Sequence, residues 1–160
     1  MSDLPPSPFL EKVVVHVLVQ NPDGRILLQR LAPHKRNPGK WGSSAAGWVN
    51  EGENAREAAL RKLQRELGMN PKESDLHLMK RGLYMDDTLP ETGAFRKQIF
   101  VWLYKSDEAP RLYREHVSAL LFIRPNTLAK RISWNGRAFT PTFRVIWKAV
   151  GERFTSNSHV

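Results

Sequence analysis

Three side chains fall on one face of a predicted helix closely enough to act together: Lys62, Arg65 and Glu66, in the stretch GWVNEGENAREAALRKLQRELGM from Gly47 to Met69. At about 100° per residue they lie within roughly 100° of one another around the helix axis. Two cations and one carboxylate make a poor cage for several divalent ions, because like charges repel the metal. They suit phosphate better, since arginine offers a planar fork of donors and lysine a mobile point charge. Glu66 could still hold one Mg²⁺ or Mn²⁺ jointly with a substrate's phosphates, a normal mode for Mg²⁺. Glu57 lies about 180° from Glu66 around the helix and cannot assist it. Glu53 sits in the loop ahead of the helix, where the expected role is to accept hydrogen bonds from that loop or from Arg61.

The elements that must position these groups can be read from periodicity. VVVHVLVQ at 13–20 is a β-branched apolar strand, NPDG a turn and RILLQR at 25–30 the returning strand of a hairpin. LAPHKRNPGKW is a loop rich in proline and positive charge, and SSAAGWV a short strand of small residues. Asn54 caps a helix predicted from about Ala55 to Leu67, with Leu60, Leu63 and Leu67 at core spacing, Gly68 as its stop and Asn70-Pro71 closing it. Strands follow at 76–85, 98–104 and 118–124, the first two separated by DDTLPETG, which is composed like a surface turn. A short helix is predicted over Asn126 to Arg131 with Asn126 as cap. A final helix from about Pro141 to Phe154 places Phe143, Ile146, Trp147 and Val150 on one side. Within these elements His16 reads as a packed histidine and Glu115-His116 as a surface loop. Trp41 and Trp48 either pack the small-residue loop or stack on a ring.

The stretch from Gly47 to Met69 resembles the Nudix box, G-x5-E-x7-R-E-U-x-E-E-x-G-U, with U a bulky aliphatic residue. Gly47, Glu53, Arg61, Leu63, Glu66, Gly68 and Met69 fall on the pattern, while Lys62 and Arg65 replace metal-binding glutamates. The order of elements is similar to the Nudix fold, an α/β/α sandwich of the α+β class with a mixed sheet between helices. WGSSAAGWVNEGE is also similar to the branch that contains type 1 isopentenyl-diphosphate isomerases and related hydrolases. That resemblance implies that Glu66 helps bind metal and that a basic residue at Lys62 contacts a diphosphate. It also places Arg30 and Lys35 where two further diphosphate contacts stand, and makes Gly47, Glu53, Arg61 and Gly68 the frame of the box. Three departures argue against isomerase chemistry: Ala46 replaces the catalytic cysteine, Trp48 a histidine ligand, and Arg96 and Gln98 a glutamate pair. None supplies the acid that protonating a double bond requires.

Composition bounds the rest. The 160 residues fit one domain, read as 11–155 between an N-terminal arm at 1–10 and a tail at 156–160. With no cysteine there is no disulfide, thiolate metal site or catalytic thiol. No apolar run approaches a membrane span and the N-terminus lacks the features of a secretory signal, so a soluble cytoplasmic protein is expected. The net charge of +9 is concentrated in residues 25–65 and 124–153, two basic segments able to build one field for anionic ligands. The expected function is binding of a diphosphate-containing small molecule, a nucleoside or prenyl diphosphate, through Arg30, Lys35, Lys62 and Arg65. Mg²⁺-dependent hydrolysis is the nominal, weakened activity. The alternative is an inactive Nudix-like scaffold for RNA or a protein partner, with RNA secondary because no recognisable binding signature interleaves aromatics and charge. Nothing in the chain sets an oligomeric state.

Overall fold

A computed structural model of the chain describes residues 10–155. The arm and tail expected at either end lie outside them, except Leu10, which begins the first strand. Strand β1 (Leu10–Gln20) is central and covered on both faces: Val14 and Leu18 face one core, Val15, Val17 and Val19 the other. Burial on both sides is why its sequence is an almost unbroken apolar run rather than an alternation. Asn21 Oδ1 accepts the Arg25 N–H at 2.9 Å and Gly24 takes φ 82°, turning the chain into β2 (Ile26–Leu31).

The expected hairpin is closed only at its base, where Gln20 pairs with Ile26. Farther along, β4 (Ala45–Trp48) lies antiparallel to β1, from Val14 opposite Trp48 to Val17 opposite Ala45. β2 pairs instead with the two-residue β3 (Trp41–Gly42) and with β7 (Val117–Ile123). Where the two strands part, the buried Ser44 hydroxyl donates to Leu27 C=O at 2.6 Å and accepts Val19 N–H at 2.8 Å, so one side chain bridges the main chains of β1 and β2 where they no longer pair with each other. On the other edge of β1, β6 (Gly93–Lys105) runs parallel from Phe95 opposite Leu10 to Lys105 opposite Gln20, and β5 (Leu76–Leu89) pairs antiparallel with β6. The result is a mixed seven-stranded sheet with helices on both faces, as expected.

One face is covered by α1 (Ala55–Leu67), through Ala58, Ala59, Leu63 and Leu67. The other carries α2 (Pro125–Trp134) and α3 (Pro141–Val150), through Leu128, Phe143, Ile146, Trp147 and Val150. Helix α1 matches its predicted bounds because both ends carry strong signals. Asn54 and Glu57 form a reciprocal capping box, and Gly68 is left-handed at φ 64°.

Three expectations need correction. α2 starts at Pro125 and extends to Trp134, because proline at the first helical position presets the helical φ; the cap is Arg124, whose side chain has no acceptor and so makes no cap bond. The last helix is interrupted at Gly151, where a Cβ would stand 2.6 Å from Trp147 O, and resumes as α4 (Glu152–Thr155). DDTLPETG is not a turn throughout: Asp86 to Leu89 belong to β5, and the reversal is confined to the residues before Gly93.

Candidate functional site

The loop from Gly47 to Asn54 is fixed by one ion pair. Arg61 donates Nε to Glu53 Oε2 at 2.8 Å and Nη2 to Glu53 Oε1 at 3.0 Å, and Nη2 also reaches Trp48 C=O at 2.9 Å. Glu53 Oε1 accepts the Asn50 N–H at 3.0 Å as well. The Arg61 hydrogen bonds hold the Glu53 carboxyl below its ordinary pKa, against the opposing effect of burial. Both Glu53 oxygens are therefore used within the loop.

Lys62 and Glu66 face β4. A Cβ added at Gly47 would stand 2.5 Å from Lys62 Cε, so the absent side chain lets the lysine stem lie against the strand. Its Nζ is 3.3 Å from Glu66 Oε2. Glu66, 8% exposed, also accepts the Gln29 amide at 3.1 Å and the Ala46 N–H at 3.0 Å, both on Oε1. Arg65 differs from Lys62: it is exposed and has no ion pair among the described residues.

The other expected cations do not join this pair. Arg30 follows Gln29 on β2 and so projects from the opposite side of the strand. There its Nε donates to Ser118 Oγ at 3.0 Å and its guanidinium lies 5.8 Å from the Trp41 ring centre. Lys35 is half-buried in the β2–β3 loop, with its N–H on Ala32 C=O.

The divergence of β1 and β2 leaves a cavity of about 150 Å³, lined by His16, Gln29, Asn37, Ser43, Ala46 and Thr142 among others. Gln29 and Ala46 are the groups that hold Glu66, so the carboxylate stands directly behind this wall. His16 Nδ1 is 2.8 Å from Ser43 Oγ. Burial, reinforced by the nearby Lys97 charge, pushes the His16 pKa down to about 3. The ring is neutral at physiological pH and so weak a base that it exchanges hydrogen bonds with its surroundings rather than protons.

Sequence reasoning missed the polar chain behind Thr142. Lys97, 8% exposed, donates to Thr142 Oγ1 at 2.6 Å and pairs with Asp87 Oδ2 at 3.1 Å. Arg36 grips Asp87 in turn, with Nη2 on Oδ1 at 2.6 Å and Nη1 on Oδ2 at 3.2 Å, and Nη2 also bonds Thr88 C=O at 2.7 Å. The β2–β3 loop is thereby fastened to β5. Burial lowers the Lys97 pKa, opposed by Asp87; burial raises that of Asp87, but its hydrogen bonds carry it below the ordinary value. Asp86 pairs with Arg96 at 2.6 Å. Taking only LPETG as the reversal would have set Asp86 opposite Arg96 and revealed a cross-strand pair. Glu115 and His116 lie in the turn before β7, 4.0 Å apart, with Glu115 exposed.

The donor set does not fit a multi-carboxylate metal cluster. Among the described residues no three His, Asp or Glu side chains are grouped to hold an ion. Glu57 is occupied in the helix cap, Glu53 by Arg61, and Glu66 by three donors. The chemistry this arrangement supports directly is electrostatic: the exposed Arg65 guanidinium and the largely covered Lys62 ammonium stand beside Glu66 on one face of α1.

The family model described as NUDIX domain matches residues 10–143. An uncharacterized Nudix hydrolase of Pseudomonas aeruginosa is 34% identical over 110 residues, 68% of this chain and 60% of that protein. An uncharacterized Nudix hydrolase of Listeria innocua is 43% identical over 58 residues, 36% of this chain and 34% of that one. The chain thus spans less than two thirds of the length of these relatives. Among solved structures, a MutT protein from Methanosarcina mazei Go1 superposes with a TM-score of 0.64 at 19% identity, covering 96% of this chain and 99% of the other. A Nudix hydrolase from M. smegmatis gives 0.64 at 17% identity, covering 92% and 87%. At such identities the likeness concerns the fold.

Proposed function

Since the chain belongs to the Nudix family, we propose that it binds a diphosphate-containing small molecule, a nucleoside or prenyl diphosphate, and hydrolyses it slowly or not at all. The observation that carries this reading is the state of Glu66: the one carboxylate on its face of α1 is bonded to Lys62, Gln29 and the Ala46 N–H. Nudix hydrolases typically use divalent metal ions, and here the groups that would gather them are replaced by cations or engaged by protein donors. Arg65, exposed beside that pair, is the first phosphate contact on this reading, and Lys62 becomes a second when a phosphate displaces Glu66 from it. Lys35 belongs to the loop whose Asn37 lines the cavity, and Arg30 stands at the root of that loop.

The test is a metal-dependent hydrolysis screen over nucleoside, sugar-nucleotide and prenyl diphosphates, paired with calorimetric binding and with Glu66→Gln. Binding that weakens in Arg65→Ala, with little turnover, supports the proposal. Fast turnover unaffected by Glu66→Gln would sink it. The second reading, a silent module that binds RNA or a protein, is favoured by the Lys62–Glu66 pairing; failure of every diphosphate to bind would select it.

A further inference from the structure

From His116 to Gly151 the chain contains no aspartate or glutamate, yet it carries Arg124, Lys130, Arg131, Arg137, Arg144 and Lys148. This segment folds as β7, α2 and α3, so its cations gather on the side of the sheet opposite α1. None of the six forms an ion pair among the described residues. Their charge is therefore directed at solvent or at an anionic partner.

Aromatic rings stand in the same place. A cavity of about 410 Å³, separate from the one at the sheet split, is lined by Trp41, Arg131, Trp134, Asn135, Ala138 and Phe139. Trp134, the last residue of α2, is 82% exposed. Trp41 is held firmly: its C=O accepts the Thr140 N–H at 2.9 Å, it bridges to Phe139, and Arg30 covers its ring. The two tryptophans are far apart in sequence and meet only in the fold, which is why no aromatic and basic interleaving was visible along the chain.

We propose that this surface binds single-stranded nucleic acid, with a base entering the cavity against Trp134 and Trp41, and backbone phosphates running across Arg131 and its neighbouring cations. Every base has a π-face, so stacking of this kind tolerates any sequence, while the cations follow the backbone. A duplex hides its base faces and cannot use the cavity. The charge complementarity and the concave aromatic wall together favour this occupant over an acidic peptide, which would use the cations alone. The proposal does not depend on the diphosphate reading, because it involves neither α1 nor Glu66.

The test is fluorescence anisotropy with the full chain and a labelled single-stranded RNA of roughly 12 nucleotides, within the range such surfaces occupy. The matching DNA strand, the duplex and phosphatidylserine vesicles as competitor complete the set. Trp134→Ala should weaken binding about tenfold, and its exposure means that the melting temperature should not move. Arg131→Ala should make the slope of log affinity against log salt shallower by about 0.7, one phosphate contact on a single strand. Inorganic pyrophosphate at matched ionic strength should not displace the strand. Absence of binding, equal affinity for the duplex, unchanged affinity in Trp134→Ala, or equally effective competition by the vesicles would each overturn the proposal.

Discussion

Glu66 has two oxygens with different engagements, and this difference sets what substitution can do. Oε1 accepts from Gln29 and Ala46, whereas Oε2 meets only Lys62 among the described residues. Replacing Lys62 by glutamate frees Oε2 and adds a carboxylate on the same helical face. Replacing Arg65 as well gives that face three carboxylates, the hard-oxygen set that divalent ions require. Lys62→Glu/Arg65→Glu should therefore bind Mn²⁺ roughly tenfold or more tightly than the natural chain, since affinity rises with ligand charge count. Titration by Mn²⁺ electron paramagnetic resonance reads this directly, and equal affinities would show that the sequence breaks at 62 and 65 are not what limits metal binding. At this scale the sequence revealed the helical trio because three and four residues along a helix define one face. It could not reveal that Gln29 and Ala46 complete the Glu66 environment, since both arrive from distant strands.

Helix α1 was legible almost to the residue because its boundaries are local chemistry: a capping box at one end and a left-handed glycine at the other. Gly68 donates its N–H to Gln64 C=O, and Met69 N–H reaches back to Leu63 C=O at 3.2 Å. An alanine there must hold φ 64°, which costs about 1–2 kcal/mol for an L-residue. The nearest atoms a Cβ would meet, Tyr113 Oη at 2.9 Å and Arg111 Cδ at 3.0 Å, belong to side chains that can yield. Gly68→Ala should lower urea-unfolding stability by about 1–2 kcal/mol, and a loss below about 0.5 kcal/mol would show that the helix end relaxes out of the left-handed state. The sheet was less legible. Strand existence follows from apolar runs, but pairing partners are non-local, so nothing in VVVHVLVQ or RILLQR announced that β4 would displace β2 from most of β1. That displacement creates the cavity, and the small residues Ser44, Ala45 and Gly47 are the sequence trace of the close packing it requires.

For the whole molecule, the buried network around that cavity makes stability depend on pH. His16 has a folded pKa of about 3 against 6.5 for the free side chain, lowered by burial first and by Lys97 second. Between these values the unfolded chain binds a proton that the folded chain does not, so stability rises with pH across the window. The contribution is complete above pH 6.5 and is lost as pH falls toward 3. At pH 5 the expected loss relative to pH 8 is about 2 kcal/mol. Glu53, Asp86 and Asp87, whose folded pKa values are also lowered, act only below the ordinary carboxylate range, because their unfolded forms are already ionised above it. The interval from pH 5 to 7 therefore isolates His16 from them. Urea unfolding across that interval should show a falling midpoint in the natural chain and a nearly level one in His16→Gln, whose amide can still meet Ser43 but does not titrate. Parallel pH profiles for the two proteins would mean that His16 keeps its ordinary pKa in the folded state, so that the cavity it lines would gain a positive charge as pH falls below 6.5.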